Sequence, residues 1–205
     1  MPKPRSRAFR ARGRIGISFL VPSVAAVLLS RPLIRQGTWA AVLVDSMAWC
    51  FLAAGLSLRL SSIVFVGGRK GGCLITHGPY GVTRNPLYLG SLFVALASGM
   101  FLRSLSMAGA VLLVSIFYLV WVIRAEEEQL ASLFAEDWKS YVASVPRLLP
   151  RRIGWSWGSD RYEVDLRAVR NESLRVLGML SIPLAAGILN HARSQSWWPR
   201  LWWLP

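Results

Sequence analysis

Acidic residues are scarce in this chain of 205 residues: ten Asp and Glu stand against 24 Lys and Arg, a formal charge of +14. In a soluble protein such a balance would point to nucleic acid. Here long apolar runs separate the positive charges. Hydrophobic residues reach 54%, and charged ones fall to 17%, below the roughly one quarter usual in soluble domains. That pattern excludes a nucleic-acid partner and indicates a membrane, with Lys and Arg marking the cytoplasmic loops. Histidine and cysteine are nearly missing. His77 and His191 are far apart, and Cys50 and Cys73 give neither metal-ligand spacing nor a disulfide framework, so no metal is expected. Repeats and low-complexity linkers are also lacking, so residues 1–205 read as one membrane domain.

Five apolar segments are present: Ile15–Ser30, Trp39–Leu58, Leu87–Leu102, Leu105–Ile123 and Leu174–Leu189. A spanning helix takes about 20 residues, so the first, third and fifth are short. The expected fold is all-α, a polytopic integral membrane protein of about five transmembrane helices. The first segment has the basic start of a signal peptide, but Ser30 leads into Arg31-Pro32 and gives no small-residue cleavage site; it reads as a retained helix. Nineteen of the 24 basic residues fall in three regions: the amino-terminal tail, the stretch from Arg59 to Arg84, and the segment from Arg124 to Arg175. A cytoplasmic amino terminus accounts for this split. The abundance of Arg, Ala, Leu and Trp suits a bacterial inner membrane. Trp197, Trp198, Trp202 and Trp203 read as interfacial anchors. Asp45 is the sole acid inside an apolar span, near the start of its helix, where it can reach the interface.

The third and fourth segments meet at Arg103-Ser104 and should form a tight helical hairpin. Two polar clusters flank it, so both lie at one membrane face. The first is HGPYGVTRNPLYLG, His77 to Gly90; the second is RAEEEQL, Arg124 to Leu130. Gly78-Pro79 and Gly81 mark a turn. Pro86 suits the first helical position and Asn85 the N-cap. A helix start with Arg84 beside it can receive a carboxylate or phosphate. Tyr80 offers an aromatic face to a cation. The Glu126–Glu128 run suits an ammonium, a sulfonium or ribose hydroxyls, although Arg124 and Glu128 also stand at ion-pair spacing on one helix. Leu130, Phe134, Trp138, Tyr141 and Val145 recur near helical spacing and predict an amphipathic helix able to cover a ligand. Together the clusters describe a site for a zwitterion such as S-adenosylmethionine.

The order GPY, TRNPLYLG, apolar hairpin, EExxL and VPRLLP resembles the isoprenylcysteine carboxyl methyltransferase family and the related membrane phospholipid methyltransferases. The resemblance covers about residues 58–150, leaving an extra carboxyl-terminal helix near 174–189. It implies a cofactor, S-adenosylmethionine, at the cytoplasmic face, and a lipidic acceptor arriving sideways from the bilayer. Carried over by position, it implies cofactor contacts from Leu74, Ile75, Tyr80, Asn85, Pro86, Leu87, Tyr88 and Glu126; the residue reading adds Arg84. Asn85 stands where eukaryotic members have His. Val122 stands where they have a substrate-binding Arg, so Arg124 is the candidate for placing the acceptor. The expected activity is in-line methyl transfer. The alternatives are a phospholipid N-methyltransferase, a sterol-reductase-like enzyme and a non-catalytic lipid-binding or assembly protein.

Overall fold

The computed structural model describes residues 32–67, 72–150 and 163–198, with Pro22, Val24, Ala25, Val27 and Leu28 of the first apolar segment. Most of that segment, residues 151–162, and Trp202 and Trp203 lie outside the described residues. The helices are α1 Trp39–Val66, α2 Pro79–Val82, α3 Pro86–Leu102, α4 Leu105–Phe117, a π-helical stretch Tyr118–Val122, α5 Ile123–Leu133, α6 Ala135–Ser144, α7 Leu166–Met179 and α8 Ile182–Ser194. Among the described residues no strand occurs. Three helical runs are long and apolar enough to cross a membrane: Trp39–Val66, Leu105–Leu133 and Leu166–Ser194. The 17-residue α3 is apolar but shorter. Leu43, Trp49, Leu112, Trp121, Leu184 and Ile188 are exposed, a belt of large apolar side chains that only lipid would cover at low cost. The protein is an all-α polytopic membrane protein.

Three boundaries differ from the sequence reading, each for a local reason. Helix α1 continues past Leu58 to Val66, because Arg59 is not a loop residue: it lies in the helix and is paired there with Glu172. The last apolar segment is two helices. Pro183 sits in the first turn of α8, where its ring cannot coexist with a continuing helix, so the break falls at Leu180-Ser181. Helix α7 begins at Leu166, ahead of the apolar segment that starts at Leu174, because the Asp165 carboxylate accepts from the amides of Arg167 and Ala168 at 2.9 and 3.1 Å.

The chain divides into two packing units. The first comprises residues 1–48, 96–124 and 182–205. Its hairpin turn at Arg103-Ser104 forms as expected. Arg103 takes a left-handed backbone (φ +50°), and Ser104 caps α4 by accepting from the Met107 amide. Gly99 lies against Ala108 across the hairpin. Asp45 does not stand alone: its carboxylate binds the Arg103 guanidinium at 2.6 Å. Asn190 and Arg193 of α8 donate to the Phe101 and Leu102 carbonyls at 2.7 and 3.1 Å, satisfying the open end of α3. Trp198 donates to the Leu28 carbonyl at 2.7 Å.

The second unit comprises residues 49–95 and 125–181. Here α1 and α3 cross at Gly55 and Gly90. A Cβ at either glycine would meet the other's carbonyl oxygen at 2.8 Å. Small residues at a membrane helix crossing let backbones approach and gain dispersion contact that lipid does not supply. Phe51 and Phe93 stack edge to face beside the crossing, with centroids 5.5 Å apart. Gly90→Ala should therefore overpack the crossing and cost about 1–3 kcal/mol. A thermal melt in detergent against wild type checks this, and an unchanged melting temperature contradicts the crossing.

Candidate functional site

The second unit holds a cavity of about 280 Å³, near the lower end of the range of about 300–1,000 Å³ for small-molecule sites. Its walls come from six places in the chain. The segment before α2 contributes Cys73, Leu74 and Ile75. Tyr80 of α2 follows, then Arg84 and Asn85 with the first turn of α3, Pro86, Leu87 and Tyr88. Helix α5 supplies Glu126, Glu127, Gln129, Leu130 and Leu133, and α6 supplies Trp138 and Tyr141, with Val66 completing the wall. Leu74, Ile75, Tyr80, Arg84, Asn85, Pro86, Leu87, Tyr88 and Glu126, all singled out in the sequence, are thus brought together. Arg124 is not: it is exposed and outside the lining.

The turn that opens the site depends on Gly78. Its φ of +58° is accessible to glycine, and a Cβ there would stand 2.4 Å from the Phe65 ring. The chain then runs through α2 to Pro86, which starts α3. Asn85 sits where a cap belongs, since its carbonyl accepts from the Leu89 amide at 3.0 Å. Its side-chain amide, however, donates to the Glu127 carboxylate and to the Arg147 carbonyl, each at 3.0 Å.

Glu127 is the residue the sequence reading missed. It is buried, and it takes Arg147 Nε and Nη2 at 2.9 and 2.7 Å and Arg84 Nη1 at 3.6 Å. Burial with one oxygen set shared among Asn85, Arg84 and Arg147 makes it a structural anchor. Its neighbour Glu126 is exposed and meets the Tyr88 hydroxyl at 2.9 Å. A helical turn separates the roles: adjacent residues point about 100° apart, so one acid enters the protein and the other faces the cavity mouth. The only signal available beforehand was the basic residue in VPRLLP, Arg147, whose partner the sequence does not name.

Helix α6 closes over the cavity. It breaks from α5 at Phe134, whose carbonyl accepts from the Trp138 amide at 2.8 Å, and Glu136 and Asp137 lie in its first turn. The expected amphipathic helix is therefore two pieces. Tyr141 donates to the Tyr80 carbonyl at 2.8 Å, and Arg84 stacks over Trp138 at 5.8 Å. Arg84 is largely buried, and its Nε has no hydrogen-bond partner. Arg84 lines the cavity, and a guanidinium in a cavity wall suits an oxyanion. Burial, and then the Glu126 charge, push the Tyr80 phenol above its ordinary value. Burial again, with Tyr80 and Glu127 adding against the opposing Arg84, raises Tyr141. Both hydroxyls are donors, not bases, near neutral pH. Among the described residues no three His, Cys, Asp or Glu side chains gather in a metal-binding group.

The phospholipid methyltransferase family model matches residues 38–137. The cobalt-zinc-cadmium resistance protein CzcN of Cupriavidus metallidurans is 33% identical over 154 residues, covering 73% of this chain and 71% of that protein. The chain belongs to the phospholipid methyltransferase family. The nickel-cobalt-cadmium resistance protein NccN of Alcaligenes xylosoxydans xylosoxydans is 27% identical over 202 residues, covering 97% and 92%. No solved structure matches the chain. The matched region contains both polar clusters, the turn with Arg84 and Asn85 and the Glu126–Glu128 run, in agreement with the resemblance carried by their order.

Glu127→Ala should strand the buried Arg84 guanidinium and take one partner from the Asn85 amide, and cost about 3 kcal/mol. Glu126→Ala should cost less than about 1 kcal/mol, since its bond is exposed. Thermal unfolding of both variants in detergent checks the contrast, and equal losses would refute the division of roles. The raised phenols set a second expectation. An unfolded tyrosine ionises near pH 10, whereas Tyr80 and Tyr141 hold their protons beyond it. The stability they contribute is full below about pH 10 and is lost as the pH rises further. Melting temperatures at pH 9 and pH 11 should fall across that interval, and fall less in Tyr141→Phe.

Proposed function

We propose that the protein transfers a methyl group from S-adenosylmethionine to a lipidic or small hydrophobic acceptor at the cytoplasmic face of a bacterial inner membrane, its amino terminus in the cytoplasm. The observation that carries this reading is the convergence of both polar clusters on one cavity with opposite charges at hand. Arg84, a guanidinium in the lining, suits the cofactor's carboxylate. Glu126, exposed at the lining, suits its ammonium or its ribose hydroxyls. Tyr80 and Trp138 offer aromatic faces for an adenine or a sulfonium.

When bound, the sulfonium supplies an activated methyl group, so the chain need only bind, align and exclude water. Leu74, Ile75, Leu87, Leu130 and Leu133 give the wall its apolar surface, which limits water around the reacting groups. Among the described residues, the ionisable side chains lining the cavity are carboxylates, a thiol, a guanidinium and three phenols, of which Tyr80 and Tyr141 hold their protons. No imidazole is among them, so an acceptor that arrives already ionised, such as a carboxylate, suits this site best. Arg124 is the arginine proposed to place it. An amine acceptor would need one of the carboxylates to take its proton. The names of the two relatives refer to metal resistance; a matching role here would be modification of a membrane component that alters the envelope.

Calorimetry with S-adenosylmethionine on the protein in detergent tests the reading. Wild type should bind in the micromolar range. Arg84→Ala and Glu126→Ala should each weaken binding about tenfold or more, the loss of one charge-assisted hydrogen bond. The cofactor should also slow maleimide labelling of Cys73, which lines the cavity, in a Cys50→Ser background. Absence of binding in detergent and again in lipid nanodiscs would remove the methyltransferase reading.

A further inference from the structure

Within the second unit, a chain of polar contacts runs from α7 to the cavity wall. It begins at Glu172, whose side chain is 1% exposed. One carboxylate oxygen accepts from Arg59 Nε at 2.7 Å, and the other from Arg175 Nη1 at 3.1 Å. Arg59, in α1, turns its Nη1 to the Ser91 hydroxyl of α3. Ser91 in turn donates to the Leu87 carbonyl at 2.8 Å, and Leu87 lines the cavity. Gly90 makes room for this path, since a Cβ there would meet Arg59 Cγ at 2.9 Å.

We propose that Glu172, Arg59 and Ser91 are positioning residues that couple the docking of α7 to the first turn of α3, and so set the shape of the cavity wall. A buried guanidinium is stable only beside its acid, so the direction of Arg59 depends on α7 being seated. With Arg59 in place, the Ser91 hydroxyl is polarised and its bond to the Leu87 carbonyl strengthened. Serine bonded back to the carbonyl four residues earlier can shift the local course of a helix; here the bonded carbonyl belongs to the turn that carries Pro86, Leu87 and Tyr88. Glu172 and Arg175 lie beyond the stretch matched by the family model, which ends at residue 137. The coupling therefore ties a carboxyl-terminal segment outside that match to the site within it.

The choice of S-adenosylmethionine as probe rests on the proposed function; a second readout does not. Hydrogen–deuterium exchange over residues 83–89 and cofactor calorimetry are measured for wild type, Ser91→Ala, Ser91→Thr, Glu172→Gln and the Ser91→Ala/Glu172→Gln double variant. Ser91→Ala should speed exchange in that peptide and weaken binding about three- to tenfold, with the melting temperature of the wild type. Ser91→Thr keeps the hydroxyl and should restore both. The double variant should be no worse than Glu172→Gln, the non-additivity expected of one connected path. Wild-type exchange and affinity in Ser91→Ala would overturn the coupling, even if Glu172→Gln were destabilised, because the ion pair would then be structural only. If wild type binds no cofactor, the methyltransferase reading falls, and the exchange data alone decide the coupling.

Discussion

The Glu127 carboxylate holds the site together. Three segments distant in sequence end on it or beside it: the turn carrying Arg84 and Asn85, helix α5 itself, and the return segment that brings Arg147 back. The Arg84 amide donates to the Pro146 carbonyl at 2.9 Å, so backbone pairing reinforces the same junction. A buried carboxylate is tolerated only when its oxygens are fully engaged, and engaging them fixes the three segments in register. With Glu127 spent on structure, Glu126 is left at the cavity. The two neighbours therefore cannot exchange roles, although they are the same amino acid.

The membrane imposes a similar economy elsewhere. Polar groups at depth must find partners inside the protein, since lipid offers none. In the first unit, Asp45 pairs with Arg103, and Asn190 with Arg193 closes the carbonyl end of α3. In the second, Arg59 and Glu172 pair inside the helices. These contacts join helices that apolar packing alone would hold weakly in lipid, because lipid tails are as apolar as Leu. Glycine does the remaining work at Gly55 and Gly90, where the absence of side chains permits a close crossing.

Much of this was legible in the sequence, and some was not. Apolar run lengths identified the membrane class, and Asn85-Pro86 located the start of α3, because a proline with no amide hydrogen fits that one helical position. The motif order GPY, TRNPLYLG and EExxL named eight of the residues that line the cavity, Leu74, Ile75, Tyr80, Asn85, Pro86, Leu87, Tyr88 and Glu126. By contrast, Arg59 read as a loop marker, and nothing in the sequence marked Glu127 as a buried anchor. Helical periodicity across Leu130 to Val145 predicted one helix where Phe134 divides two. Each of these failures concerns a residue whose partner is far away in the chain: Glu172 for Arg59, Arg147 for Glu127, and the Tyr80 carbonyl for Tyr141.

By itself, the sequence determined that the chain is helical and membrane-embedded, where its hairpin turns, and which two polar clusters flank that hairpin. Those properties follow from local composition and from turn and cap preferences that act over a few residues. Only the tertiary structure decided which glutamate is structural, which arginine lies in the cavity wall, and that α7 reaches α3 through Arg59. Each of those depends on burial, and burial is set by contacts between segments that the linear order does not place side by side.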